Sequence, residues 1–131
     1  MQDRGAPRKL LPVKNRPFLQ RLRFALAGIR AAIASEASFR TQLVLAALAG
    51  LALALVRPPL GWAVAYIAAA AAVLAAELFN TALERIADRL HPELHPAIET
   101  AKDCAAAAVL LLAIAAAMVG LAAAAVALHL I

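Results

Sequence analysis

Three stretches without a single Asp, Glu, Lys or Arg decide what this chain can become: the sixteen residues between Arg40 and Arg57, the nineteen between Arg57 and Glu77, and everything from Cys104 to Ile131. Hydrocarbon offers the backbone no hydrogen-bond partners, so a single segment crosses it as a helix that satisfies its own N–H and C=O groups. Such a helix needs about 20 apolar residues, or about 17 at the short end. The sequence therefore predicts an all-α integral membrane protein with three transmembrane helices, at about residues 40–56, 60–78 and 104–127. The first reaches spanning length with the help of its flanking arginines, whose long side chains extend to the interface. Arg57-Pro58-Pro59 predicts a tight break between the first two spans, because proline cannot continue the helical ladder and restricts the residue before it.

The chain has 131 residues, 65% of them hydrophobic, more apolar surface than one soluble domain of this length would need. Its charge is unevenly placed. Eight of the thirteen basic residues (Arg4, Arg8, Lys9, Lys14, Arg16, Arg21, Arg23 and Arg30) lie within the first thirty positions, against one acid, Asp3. No aromatic stacking set accompanies them, which argues against nucleic acid, whereas anionic phospholipid beside a membrane segment accounts for them directly. Residues 1–15 are expected to form a basic, disordered cytoplasmic tail and residues 16–131 the membrane domain. No signal peptide is expected, the first span itself acting as the membrane signal. The positive-inside rule keeps the N-terminus in the cytoplasm and sends the C-terminus outside, with the segment from about Arg85 to Lys102 inside. The lone Cys104, at the start of an apolar run, reads as a small buried packing residue.

Residues 18–34 predict an amphipathic surface helix. Leu19, Leu22, Leu26, Ile29 and Ile33 fall within an arc of about 80°, with Arg16, Arg23 and Arg30 in a stripe beside them. Such a helix lies flat in the membrane interface; the competing reading is a soluble helix packed on a partner.

The second span continues into Glu77-Leu78-Phe79-Asn80-Thr81-Ala82-Leu83-Glu84-Arg85-Ile86-Ala87-Asp88. Spacings of 3, 4 and 4 put Glu77, Asn80, Glu84 and Asp88 within about 80° of one another on one helix face. Acids stacked in this way repel and are expensive near hydrocarbon, so they mark function and call for a cation. Glu36 precedes the first span and Lys102-Asp103 begin the third, so all of these residues meet at the same interface. Hard oxygen ligands with room for water and phosphate oxygens suit Mg²⁺ at a nucleotide site. The bland reading is a solvated helix end, with Glu84 paired to Arg85 or Arg89 and Glu36 to Arg40. His91 and His95 are four apart, but Pro92 and Pro96 interrupt the segment and a third metal ligand is lacking. Neither a P-loop nor the protein-kinase motifs occur. Two other classes of function compete: an ion or proton pathway, disfavoured because no charge crosses the spans, and a non-catalytic membrane assembly subunit.

Gly28-Ile29-Arg30, Ser35-Glu36-Ala37-Ser38-Phe39-Arg40, Glu77-Leu78-Phe79-Asn80-Thr81-Ala82-Leu83-Glu84 with Asp88, Glu93-Leu94-His95 and Ala101-Lys102-Asp103 together resemble the prokaryotic diacylglycerol kinase family, which includes the undecaprenol kinases. The resemblance runs from about Phe24 to the end of the third span, in order and approximate spacing. It implies a lipid kinase of the bacterial inner membrane that phosphorylates the primary hydroxyl of undecaprenol or diacylglycerol with ATP and Mg²⁺. It also implies a homotrimer with sites between neighbouring subunits. Carried over by position, Glu77 is the general base, Glu36 and Glu84 hold the metal, and Asn80, Asp88 and Arg40 support the cluster. Phe24, Glu36, Glu84, Glu93, Leu94, His95, Lys102 and Asp103 bind the nucleotide. At Pro17 the chain departs from a basic residue that some relatives carry, leaving Arg16 or Arg21 to replace that contact. The Pro-flanked stretch from His91 to Pro96 looks more like the undecaprenol kinase branch.

Overall fold

The structure is a computed structural model, and it describes residues 17–93 and 95–131. The basic tail expected at residues 1–15, together with Arg16 and Leu94, lies outside the described residues. The described chain contains four helices: α1 (Phe18–Ser35), α2 (Ala37–Val56), α3 (Leu60–Leu90) and α4 (Pro96–Ala127). The last three are each long and apolar enough to cross a membrane. Many of their large apolar side chains are open to the surroundings, Leu55 and Leu60 by more than three quarters. A water-soluble protein rarely exposes contiguous apolar surface on this scale, whereas lipid tails cover it at no cost.

Local chemistry explains the boundaries. A single extended residue, Glu36 (φ −104°, ψ 113°), separates α1 from α2, and its N–H closes α1 on the Ala32 carbonyl. At the other end of α2, Arg57 adopts a left-handed conformation (φ 55°) while its N–H bonds the Leu53 carbonyl. That conformation costs a non-glycine residue about 1–2 kcal/mol, and the Pro58-Pro59 pair that follows confines the chain to an extended turn into α3. α4 begins earlier than the expected third span. Pro96 occupies its first turn, where the missing N–H is no loss, and the His95 ring nitrogen Nδ1 accepts the Ala97 N–H at 3.2 Å as an N-cap. Most of the segment expected to be a hydrophilic connection therefore extends α3 and α4 beyond the hydrocarbon.

α3 and α4 are the most closely packed pair, with α2 set more loosely against them. Alanine along both helices permits this approach, as small residues do between helices in lipid. The core away from the charged end is built on Leu53, Tyr66 and Ala123, with Trp62, Val56 and Val119 against it. Tyr66 is 7% exposed, and its hydroxyl donates to the Ala46 carbonyl of α2 at 2.8 Å. Gly120 lies against its ring: a Cβ there would stand 3.4 Å from Cδ2 and Cε2, in van der Waals contact. A groove of about 590 Å³ opens beside Tyr66 between α2 and α4, lined almost wholly by Ala, Leu and Val, with Gln42 among them.

Candidate functional site

At the opposite end from Tyr66, α3 carries its acidic residues out of the apolar region in order of increasing exposure. Glu77 is 3% exposed and Thr81 is buried; Asn80 and Glu84 are half-buried, and Asp88 is exposed. One helix face thus grades from a buried carboxylate to a solvated one over three turns. The shared face expected from the spacing is therefore present, but its members reach different partners.

Glu77 meets α2. Ser38, the second residue of that helix, donates its hydroxyl to Glu77 Oε2 at 3.1 Å. Phe39 beside it is buried, as is Ala32 near the end of α1, so the corner between α1 and α2 is anchored by packing. Asn80 donates through Nδ2 to Glu84 Oε1 at 3.0 Å, the i, i+4 spacing that brings side chains together on a helix. Its other polar atom, Oδ1, is buried without a hydrogen-bond partner.

Glu36 meets α3 through Arg85 rather than through Glu84. The Arg85 guanidinium donates to Glu36 Oε1 at 3.2 Å and to the Ser35 hydroxyl. Ser35 Oγ lies 2.8 Å from Glu36 Oε1 and 2.9 Å from the Ala31 carbonyl, and its one proton serves either. The Ser35 hydroxyl first, and the Arg85 guanidinium next, hold the Glu36 carboxyl below the usual carboxylate range. The pairings of the solvated-end reading are not formed. Arg40 instead donates to the carbonyls of Ile33 and Ala34, at 3.0 and 3.4 Å, satisfying acceptors left open at the end of α1.

The third junction is an ion pair of 2.8 Å between Lys102 on α4 and Asp88 on α3. Asp103 is exposed next to Lys102, and Glu93 is exposed in the connection between α3 and α4. Phe24 lies on α1, about half exposed. Cys104 is exposed, correcting the expectation of a buried packing residue. A second apolar groove, of about 820 Å³, runs between α3 and α4, with Asn80, Phe79, Leu83, Ile86 and Leu90 along it.

Among the described residues no three His, Cys, Asp or Glu side chains gather closely enough to cage a metal ion. Mg²⁺ that arrives on a nucleotide needs only one or two carboxylates besides phosphate oxygens and water. The oxygen donors here, Glu84 with the unpartnered Asn80 Oδ1 beside it, fit that second case and not a resident metal cage. Sequence reasoning missed Ser35, Ser38 and Arg85 as members of the cluster. Ser35 and Ser38 bracket Glu36 in the quoted motif, but spacing within one helix does not say which other helix a side chain reaches.

The fold and this cluster define a small helical multi-pass membrane protein with an acidic site at one end of its spans. Residues 23–124, more than three quarters of the chain, match the model of the prokaryotic diacylglycerol kinase family. The chain belongs to that family, a family of lipid kinases. No curated protein matches it.

Proposed function

We propose that this protein transfers the γ-phosphoryl group of ATP to the primary hydroxyl of a membrane lipid alcohol, undecaprenol or diacylglycerol, at the cytoplasmic face of the bacterial inner membrane. The observation that carries this reading is Glu77, a carboxylate only 3% exposed at the end of a membrane-spanning run. An acid so placed is costly unless it works.

The lipid oxygen forms a bond to the γ-phosphorus, the bond from that phosphorus to the bridging oxygen breaks, and ADP leaves. Glu77 takes the proton the hydroxyl releases. Positioning and charge neutralisation account for most of the catalysis in such transfers. Glu84 and Glu36 would hold Mg²⁺, which supplies positive charge against the phosphates. Asn80 steadies Glu84 through the hydrogen bond described above, with Asp88 and Arg40 in supporting positions. Lys102 offsets phosphate charge, and Asp103, Phe24, Glu93, Leu94 and His95 complete the nucleotide contacts. α1 lies in the interface, its arginines toward anionic headgroups. Three copies complete the assembly, with sites between neighbouring subunits.

The test is purified protein with Mg²⁺-ATP and a mixed lipid extract, with mass spectrometry of the alcohol that gains a phosphate. Glu77→Gln abolishes turnover and leaves ATP binding largely intact. Near-normal turnover in that variant refutes the role of Glu77 and favours a non-catalytic membrane subunit.

A further inference from the structure

We propose that Ser38 is a positioning residue for the phosphoryl transfer, holding one oxygen of Glu77 so that the other faces the lipid hydroxyl. The inference rests on the reading of Glu77 as proton acceptor and adds a residue that this reading does not contain.

The argument begins with what a buried glutamate lacks. Its carboxylate turns about several side-chain bonds, and a general base must present one oxygen within hydrogen-bond reach of the proton it removes. Glu77 sits in mid-helix on α3, where neighbouring backbone N–H groups are already committed to the helical ladder and cannot fix it. A donor has to come from another element. Among the described residues the one hydrogen bond given to this carboxylate is that from the Ser38 hydroxyl to Oε2, at 3.1 Å and partly buried.

The placement of Ser38 makes this donor dependable. It lies in the first turn of α2, next to Phe39, which is 2% exposed. It follows the one-residue joint at Glu36, which is tied to α3 through Arg85 at 3.2 Å. The joint and Phe39 therefore fix the backbone from which Ser38 reaches. The positive end of the α2 backbone dipole lies on the same side and favours negative charge there. A serine has one proton to give. Given to Oε2, it leaves Oε1 as the oxygen for the substrate. The hydroxyl also bridges α2 to α3 across 39 residues of sequence, so the proton acceptor is oriented by a different membrane helix from the one that carries it.

Ser38→Ala and Ser38→Thr are to be compared with the wild-type protein in lipid. Turnover with Mg²⁺-ATP and the lipid alcohol is read as kcat and as KM for ATP. Labelling of Glu77 by a hydrophobic carbodiimide, read by peptide mass spectrometry, reports the carboxyl without any reaction of the nucleotide. Ser38→Ala is expected to lower kcat on the order of tenfold, the size of a small misplacement of a reacting group. KM for ATP stays unchanged and carbodiimide labelling of Glu77 quickens. Ser38→Thr, which keeps the hydroxyl at an exposed position with room for a methyl group, restores both readings. Unchanged labelling in Ser38→Ala overturns the proposal, because the contact then does not hold the carboxyl. Faster labelling with an unchanged kcat also overturns it. A failure of the Glu77 reading itself appears separately, as full turnover in Glu77→Gln.

Discussion

Replacing Tyr66 by phenylalanine removes one hydroxyl from the core at the end of the bundle away from the charged cluster and leaves the ring. That hydroxyl donates to the Ala46 carbonyl at 2.8 Å, binding α3 to α2 where α2 is otherwise loosely held. Interhelical hydrogen bonds in lipid contribute about 0.6 kcal/mol on average and up to about 1.7 kcal/mol. Tyr66→Phe should therefore destabilise the folded protein by about 0.5–1.5 kcal/mol. Tyr66→Ala also empties the space between Gly50 and Gly120 that the ring fills, and should cost about 3–5 kcal/mol, as aromatic truncations do. Reversible unfolding in mixed micelles measures both. Turnover should hardly change in Tyr66→Phe, because Glu77 lies eleven residues further along α3, about 16 Å away along the axis. Equal losses in the two variants would refute the reasoning, since the hydroxyl would then carry the whole contribution and the ring none. So would a turnover loss in Tyr66→Phe comparable to that of Glu77→Gln.

Glu36 should titrate below the ordinary glutamate range, and Ser35→Ala or Arg85→Ala should each move it back up, the first by removing the hydroxyl and the second by removing both the guanidinium hydrogen bond and its charge. Since the folded value is the depressed one, the stabilisation is complete above the ordinary carboxylate range and fades as pH falls through the lowered value; carbon NMR of a labelled Glu36 carboxyl follows it. His95→Ala should destabilise the start of α4 by about 0.5–2 kcal/mol through the lost cap, read as faster amide exchange near Ala97. His95→Asp should keep the cap, so a loss of ATP affinity in that variant separates a nucleotide contact from the structural one.

The spans were legible because charge is so costly in hydrocarbon that its absence marks them directly, and the single polar face of α3 followed from spacing alone. The partners of that face were not legible. Adjacent residues on a helix point about 100° apart, so Glu84 and Arg85 diverge although they are neighbours in sequence, and Arg85 turns instead to Glu36. The i, i+4 spacing of Glu36 and Arg40 was outweighed by open carbonyls at the end of α1, which draw the guanidinium away. Tyr66 lay hidden in an alanine run, where periodicity is weak and nothing signals which carbonyl a hydroxyl will find. His95 looked like a nucleotide ligand, and its capping bond becomes visible only once α4 is known to start at Pro96.

The unbroken run of α3 from Leu60 to Leu90 has a mechanical consequence. Its 31 residues span about 46 Å, well beyond a hydrocarbon slab of about 30 Å, with no proline or bulge between Tyr66 and Glu84 to act as a hinge. A thicker or thinner bilayer is accommodated by tilt of the whole rod, which raises or lowers Glu77 and Glu84 together against the headgroup layer. The depth of the acidic cluster is thereby geared to membrane thickness.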